Sequence, residues 1–183
     1  MRARPKSKKP QQDNLERMKD IHQSAERIIA AHLSEALKKL APYGTVAAAY
    51  ALIKMGYFAL CQYLPKQAAR DEFKSWAALA KQDRVTKSFV ASRAPQDYRF
   101  LADTRRVVLI SRAADDFVRN HFPRCSFDGC SNTQAAYTMI VLAYKSLRHE
   151  LGADAPAAKV FDILAHHALF DLDTTRERRA KLH

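Results

Sequence analysis

The sequence predicts an all-α fold: a single-domain bundle of about six helices followed by a short basic helix at the C-terminal end. Three observations carry this expectation. Alanine is abundant and only 4 of the 183 residues are glycine; alanine is the best helix former and glycine among the worst. Apolar residues recur at every third or fourth position over long stretches, the period of a helix with one buried face. The β-branched runs and frequent turn signals of β-rich chains are missing. A chain of 183 residues can bury a core without disulfides or metals.

Residues 1–11 combine two prolines with several basic side chains and almost no apolar ones. They cannot bury enough surface to order themselves and read as a disordered basic arm. Residues 12–173 then read as the helical domain. From about Gln12 to Leu40 the positions Leu15, Met18, Ile21, Ala25, Ile28, Ile29, Leu33, Ala36, Leu37 and Leu40 trace one apolar stripe, broken by Pro42 and Gly44. The second helix, about Thr45 to Tyr63, is apolar on most sides, which marks a central element. In it Ala47, Ala51 and Ala59 line up with Gly56 beside them, a strip of small residues over which another helix can approach closely.

Pro65 suits the first turn of a third helix running to about Gln82, with Phe73, Trp76, Ala77 and Leu79/Ala80 as its buried stripe. Residues 83–95 read either as helix or as an extended connection. Pro95 restarts a helix that continues to Phe122, with Phe100, Thr104, Val107, Ile110, Ala114, Phe117 and Val118 facing inward. Pro123 and Asp128-Gly129 break the chain into a loop. Ser131 with Gln134 forms a capping box for a fifth helix, and Gly152 supplies its stop. Pro156 opens a sixth helix ending near Phe170. Thr174 with Glu177 is a second capping box, predicting a separate basic helix or tail over residues 174–183.

The net charge of +12 is unevenly placed. Arg2, Arg4, Lys6, Lys8 and Lys9 stand in the first ten residues with no acid among them. Arg176, Arg178, Arg179 and Lys181 face only Glu177 at the other end. Between them the body is only mildly basic. Basic arms on such a body suit phosphate backbones or acidic protein surfaces; the alternative for each arm is a solubilising tail.

Cys61, Cys125 and Cys130 are 3 cysteines and cannot all pair. With no apolar segment after the N-terminal charges, the pattern fits a reducing, cytoplasmic setting rather than secretion. The one membrane candidate, Val46 to Leu64, carries Lys54 at its centre. A central lysine costs about 2.5–3.5 kcal/mol in a bilayer, so the segment reads as a core helix and no membrane partner is expected.

Four features bear on chemistry. Arg105, Arg112 and Arg119 are spaced seven apart and stack along one row of the fourth helix, with Arg99 and Arg106 as a neighbouring row and Arg93 and Arg124 flanking the ends. Arginines at two-turn spacing can track a phosphate backbone. Asp97, Asp103, Asp115 and Asp116 lie on the same helix, and pairing at three- or four-residue spacing would make an ordinary solvated face instead. In the segment from Asp83 to Phe100, Arg84, Lys87, Arg93 and Arg99 alternate with Phe89, Tyr98 and Phe100, a mixture that grips single strands by charge and stacking unless the aromatics belong to the core.

His121, Cys125 and Cys130 are weak candidates for a zinc site, because neither a CxxC spacing nor an obvious fourth ligand accompanies them. Asp162 with His166, and His167 with Asp171, stand four apart on the sixth helix; solvent-facing pairs are the simpler reading. No P-loop, GxGxxG, HExxH or GxSxG motif is present, and no cofactor is expected.

The leading expectation is a nucleic-acid-associated helical protein, a regulator or accessory factor. It would hold DNA or RNA with Lys6, Lys8, Lys9, the arginines of the fourth helix and its flanks, and Arg176, Arg178 and Arg179. The alternative is a protein–protein adaptor, inhibitor or oligomerisation module with an acidic partner or a second copy of itself. An enzyme is the third reading, and a His/Asp-dependent nuclease using His166 and His167 is its most concrete form.

Overall fold

Helix α2, Thr45–Tyr63, lies at the centre of the molecule. A computed structural model describes the backbone of residues 9–82, 104–122, 129–152 and 154–180, and the side chains of these from residue 23 to residue 170, Thr104 excepted. The protein is all-α, a single bundle. Its helices are α1, Lys9–Lys38, then α2, α3, Lys66–Gln82, α4, Thr104–His121, α5, Asn132–Leu151, and α6, Asp154–Ala180, with a 3-10 turn at Ala41–Tyr43.

Helices α3, α4, α5 and α6 pack against α2, while α1 packs against α5; α1, α3 and α4 do so through narrow apolar stripes at helical spacing. Helix α1 buries Ala25, Ile29 and Leu33; α3 buries Phe73, Ala77 and Ala80; α4 buries Ile110, Ala114 and Phe117. Ring contacts stitch them together: Tyr57 of α2 to Phe73 of α3 at 5.1 Å between centroids, Trp76 of α3 to Tyr137 of α5 at 5.6 Å, and Tyr144 of α5 to Phe161 of α6 at 5.4 Å. Such tilted and edge-to-face pairs add stability beyond the area they bury.

The small-residue strip of α2 meets α5. A Cβ built on Gly56 would stand 2.8 Å from Ile140 Cγ1 and 2.9 Å from the Ala136 carbonyl oxygen. Nothing larger than hydrogen fits between the two backbones there. Helix α5 begins as its sequence requires: Ser131 Oγ accepts from the Gln134 N–H at 3.3 Å, and Gln134 Oε1 accepts from the Ser131 N–H at 3.0 Å. It ends at Gly152, whose φ of 66° is left-handed and whose N–H donates to the Arg148 carbonyl. That geometry closes a helix and favours glycine.

Two boundaries and one buried position differ from expectation. Helix α1 starts at Lys9 rather than near Gln12, so part of the segment read as an arm is helical; residues 1–8 lie outside the described residues. Helix α6 does not stop near Phe170 but runs unbroken to Ala180, so the segment from Thr174 is its continuation and not a separate helix. A Ser/Thr–Glu pair caps a helix only where the chain enters from a non-helical conformation, and no glycine or proline between Phe170 and Thr174 forces that break. Leu79, placed in the buried stripe of α3, is 47% exposed. The stripe closes on Ala80 instead, one position on.

Candidate nucleic-acid interface

Helix α4 is amphipathic, and its two faces are cleanly assigned. With Ile110, Ala114 and Phe117 turned to the core, the 100° step per residue puts Arg105, Arg112 and Arg119 almost directly opposite. All three are exposed. Seven residues advance about 10 Å along the axis, so the three guanidinium groups are spread along most of the helix. Arg106 is also exposed but lies about a third of a turn from that row, between the lines of Ala113 and Phe117. Two parallel arginine rows are therefore not what α4 presents.

The row is not uniformly charged. Val108, 41% exposed, and Leu109, 53% exposed, sit between Arg105 and Arg112. Arg119 is drawn to Asp116, Nη1 to Oδ1 at 3.7 Å, a long contact between two exposed groups that contributes little. Asp115, expected as a partner for the arginines, is engaged elsewhere: Lys54 Nζ donates to its Oδ1 at 2.6 Å. Lys54 comes from the middle of α2 and is only 1% exposed, while the Asp115 side chain is 44% exposed. The ring of Tyr50, 4.3 Å from the ammonium, lines a second side of the charge, a favourable cation–π position. Further along, Phe58 of α2 meets Phe122, the residue that follows α4, edge to face at 4.8 Å, so α2 and α4 run in the same direction with the ion pair between them.

The sequence singled out Lys54 as an obstacle to membrane insertion and Asp115 as one of several acids on a charged helix; it did not join them. A lone lysine in an otherwise apolar helix does signal a buried partner, but the partner stands 61 residues away. Among the described residues no helix is long and apolar enough to cross a membrane.

Other predicted positions are only partly placed. Arg93, Arg99, Arg124, Lys6 and Lys8 lie outside the described residues. Lys9 is in the first turn of α1 and Arg176, Arg178 and Arg179 are in the last turns of α6, in both cases with backbone alone described. The described residues therefore bring together Arg105, Arg112 and Arg119 on one line, with Arg106 about a third of a turn away from it.

For the zinc candidates, Cys125 is outside the described residues. His121 packs its ring on Phe117 at 4.5 Å. Cys130 is partly buried, its Sγ 3.5 Å from the Ser131 carbonyl oxygen, and burial pushes its thiol above the ordinary range. That shift favours the protonated form, the poorer metal ligand. Among the described residues no three His, Cys, Asp or Glu side chains cluster as a metal site.

On α6, Asp162 accepts from Lys81 of α3 at 2.6 Å. The carboxylate expected beside His166 thus joins two helices instead. His166 and His167 are exposed, their rings 6.4 Å apart.

No protein-family model, curated protein or solved structure matches this chain.

Proposed function

We propose that the chain is a nucleic-acid-associated helical protein, a regulator or accessory factor, that holds phosphates along the outward line of α4. One observation carries the reading: Arg105, Arg112 and Arg119 are exposed on a single line opposite the buried stripe of a well-packed helix. A rigid helix that spaces guanidinium groups at regular intervals supplies the sequence-independent part of nucleic-acid binding, in which each neutralised phosphate releases counterions. The basic side chains toward both ends of the chain add to the same electrostatic attraction.

A second reading has its own support. Val108 and Leu109 are exposed within the arginine row. Apolar side chains ringed by arginines also suit the acidic amphipathic surface of a protein partner or a second copy of this chain.

A salt titration of binding to duplex DNA, single-stranded DNA and RNA separates the two. Phosphate binding predicts that the log of the association constant falls linearly with log salt. On duplex DNA, replacing Arg105, Arg112 and Arg119 by alanine lowers the slope by about 0.9 for each phosphate no longer neutralised. Affinity that does not change with salt defeats the nucleic-acid reading. Partner capture or self-association abolished in Val108→Ser/Leu109→Ser, with nucleic-acid affinity unchanged, favours the second.

A further inference from the structure

We propose that Lys54 is a positioning residue for the arginine row: by holding the Asp115 carboxylate on the α2 side of α4, it leaves Arg112 open to an external phosphate. The proposal rests on the reading of α4 as a phosphate-binding face.

Arg112 stands three residues before Asp115 and four before Asp116, the two spacings at which side chains on a helix meet. A helix with this sequence in isolation would offer Arg112 two carboxylates. In the folded protein Asp115 is bonded to Lys54, and Asp116 lies nearer Arg119, in a long contact between exposed groups. Among the described residues Arg112 forms no ion pair or hydrogen bond.

The competition for Asp115 is unequal. An exposed arginine–carboxylate pair on one helix face returns little, because water solvates both groups nearly as well. Lys54 is only 1% exposed, so its ammonium loses most of its hydration, and the Asp115 carboxylate and the Tyr50 ring both stand against it. Leaving a buried charge without its partner costs far more than an exposed pair gains. Lys54 therefore decides where Asp115 points. Because the Asp115 side chain is 44% exposed, it has room to turn toward Arg112 once the lysine charge is gone.

The test compares the full chain with Lys54→Met, which keeps the side-chain length and removes the charge, and with Lys54→Met/Asp115→Asn. Two readouts are taken on each. The first is the rate at which phenylglyoxal modifies Arg112, followed by peptide mass spectrometry. It falls several-fold in Lys54→Met, where Asp115 shields the guanidinium, and returns to the wild-type rate in the double variant. The second is the salt dependence of duplex DNA binding, whose slope drops by about 0.9 in Lys54→Met and recovers in the double variant. Unchanged Arg112 reactivity in Lys54→Met, or a double variant as slow as the single one, overturns the proposal.

Should Lys54→Met not fold, Asp115→Asn alone serves: an amide still accepts from Lys54, and Arg112 reactivity stays at the wild-type level. A rise would mean that Asp115 already screens Arg112, and overturns the proposal equally. A modification pattern as expected, with no salt-dependent nucleic-acid binding by the wild type, defeats the phosphate reading and leaves the control of Arg112 by Lys54 standing.

Discussion

Lys54 and Asp115 meet at 2.6 Å across the α2–α4 seam, one group almost wholly enclosed and the other half in water. The pair is thus lopsided, and its two halves are not equivalent to remove. Asp115→Ala takes the carboxylate from a buried ammonium and is expected to destabilise the fold by about 3 kcal/mol, near the lower end for a broken buried pair because solvent reaches its rim. Lys54→Met removes the buried charge and leaves a carboxylate that water can solvate, so about 1 kcal/mol or less is expected. Urea denaturation of both variants checks the order; a larger loss in Lys54→Met would contradict it.

Gly56→Ala tests the close crossing of α2 and α5. The new methyl would press on the Ala136 carbonyl, which is backbone and cannot swing aside. Overpacking of this kind costs about 1–3 kcal/mol, against a gain of about 1 kcal/mol in helix propensity. A net loss near 1 kcal/mol is expected, seen as a fall in Tm of about 2–4 °C for a chain of this size.

Thr138→Val is expected to act in the opposite direction. Thr138 is buried on α5, and among the described residues its hydroxyl oxygen has no hydrogen-bond partner. Burying an unsatisfied polar group costs about 1–3 kcal/mol, and valine has nearly the same shape and helix propensity. Thermal melts should show a higher Tm; a lower one would mean that the hydroxyl is satisfied in solution.

Cys130 supplies a pH-dependent expectation. Burial raises its thiol above the usual range, and the thiolate is the reactive species. Its modification by Ellman's reagent should be slower than that of free cysteine at neutral pH. The rate should keep rising with pH beyond the point where an exposed thiol has levelled off. A rate equal to that of free cysteine at neutral pH would refute the shift.

What was legible in the sequence is what is local. The Ala25, Ile29 and Leu33 spacing, the Ser131–Gln134 box and the Gly152 stop each depend on residues within a few positions of one another, and each appears as expected. Gly56 was legible as a point of close approach, though not which helix would fill it. Partner choice was not legible. Asp115 has arginines three and four positions away yet takes a lysine from another helix, and Asp162 has His166 one turn away yet takes Lys81. The exposure of Leu79 and the continuation of α6 past Thr174 fall in the same category: neighbours in space, or the lack of a breaker, outweigh the pattern in the chain. The arginine row of α4 was legible as spacing; that Arg112 stands clear of both nearby acids was not.

The backbone contact at Gly56 carries a dynamic consequence. At that crossing the Ala136 backbone and the fully buried Ile140 side chain close on Gly56, leaving little room for a relative displacement, so the two helices are expected to separate only when the whole bundle opens. Amides around Gly56 and from Ala136 to Ile140 should therefore be the last to exchange with deuterium, at a rate set by global unfolding. Helix α4, which turns the stripe Ile110, Ala114 and Phe117 to the core and an exposed face to solvent, should exchange earlier, able to shift against a stiff central keel while the rest of the molecule stays intact.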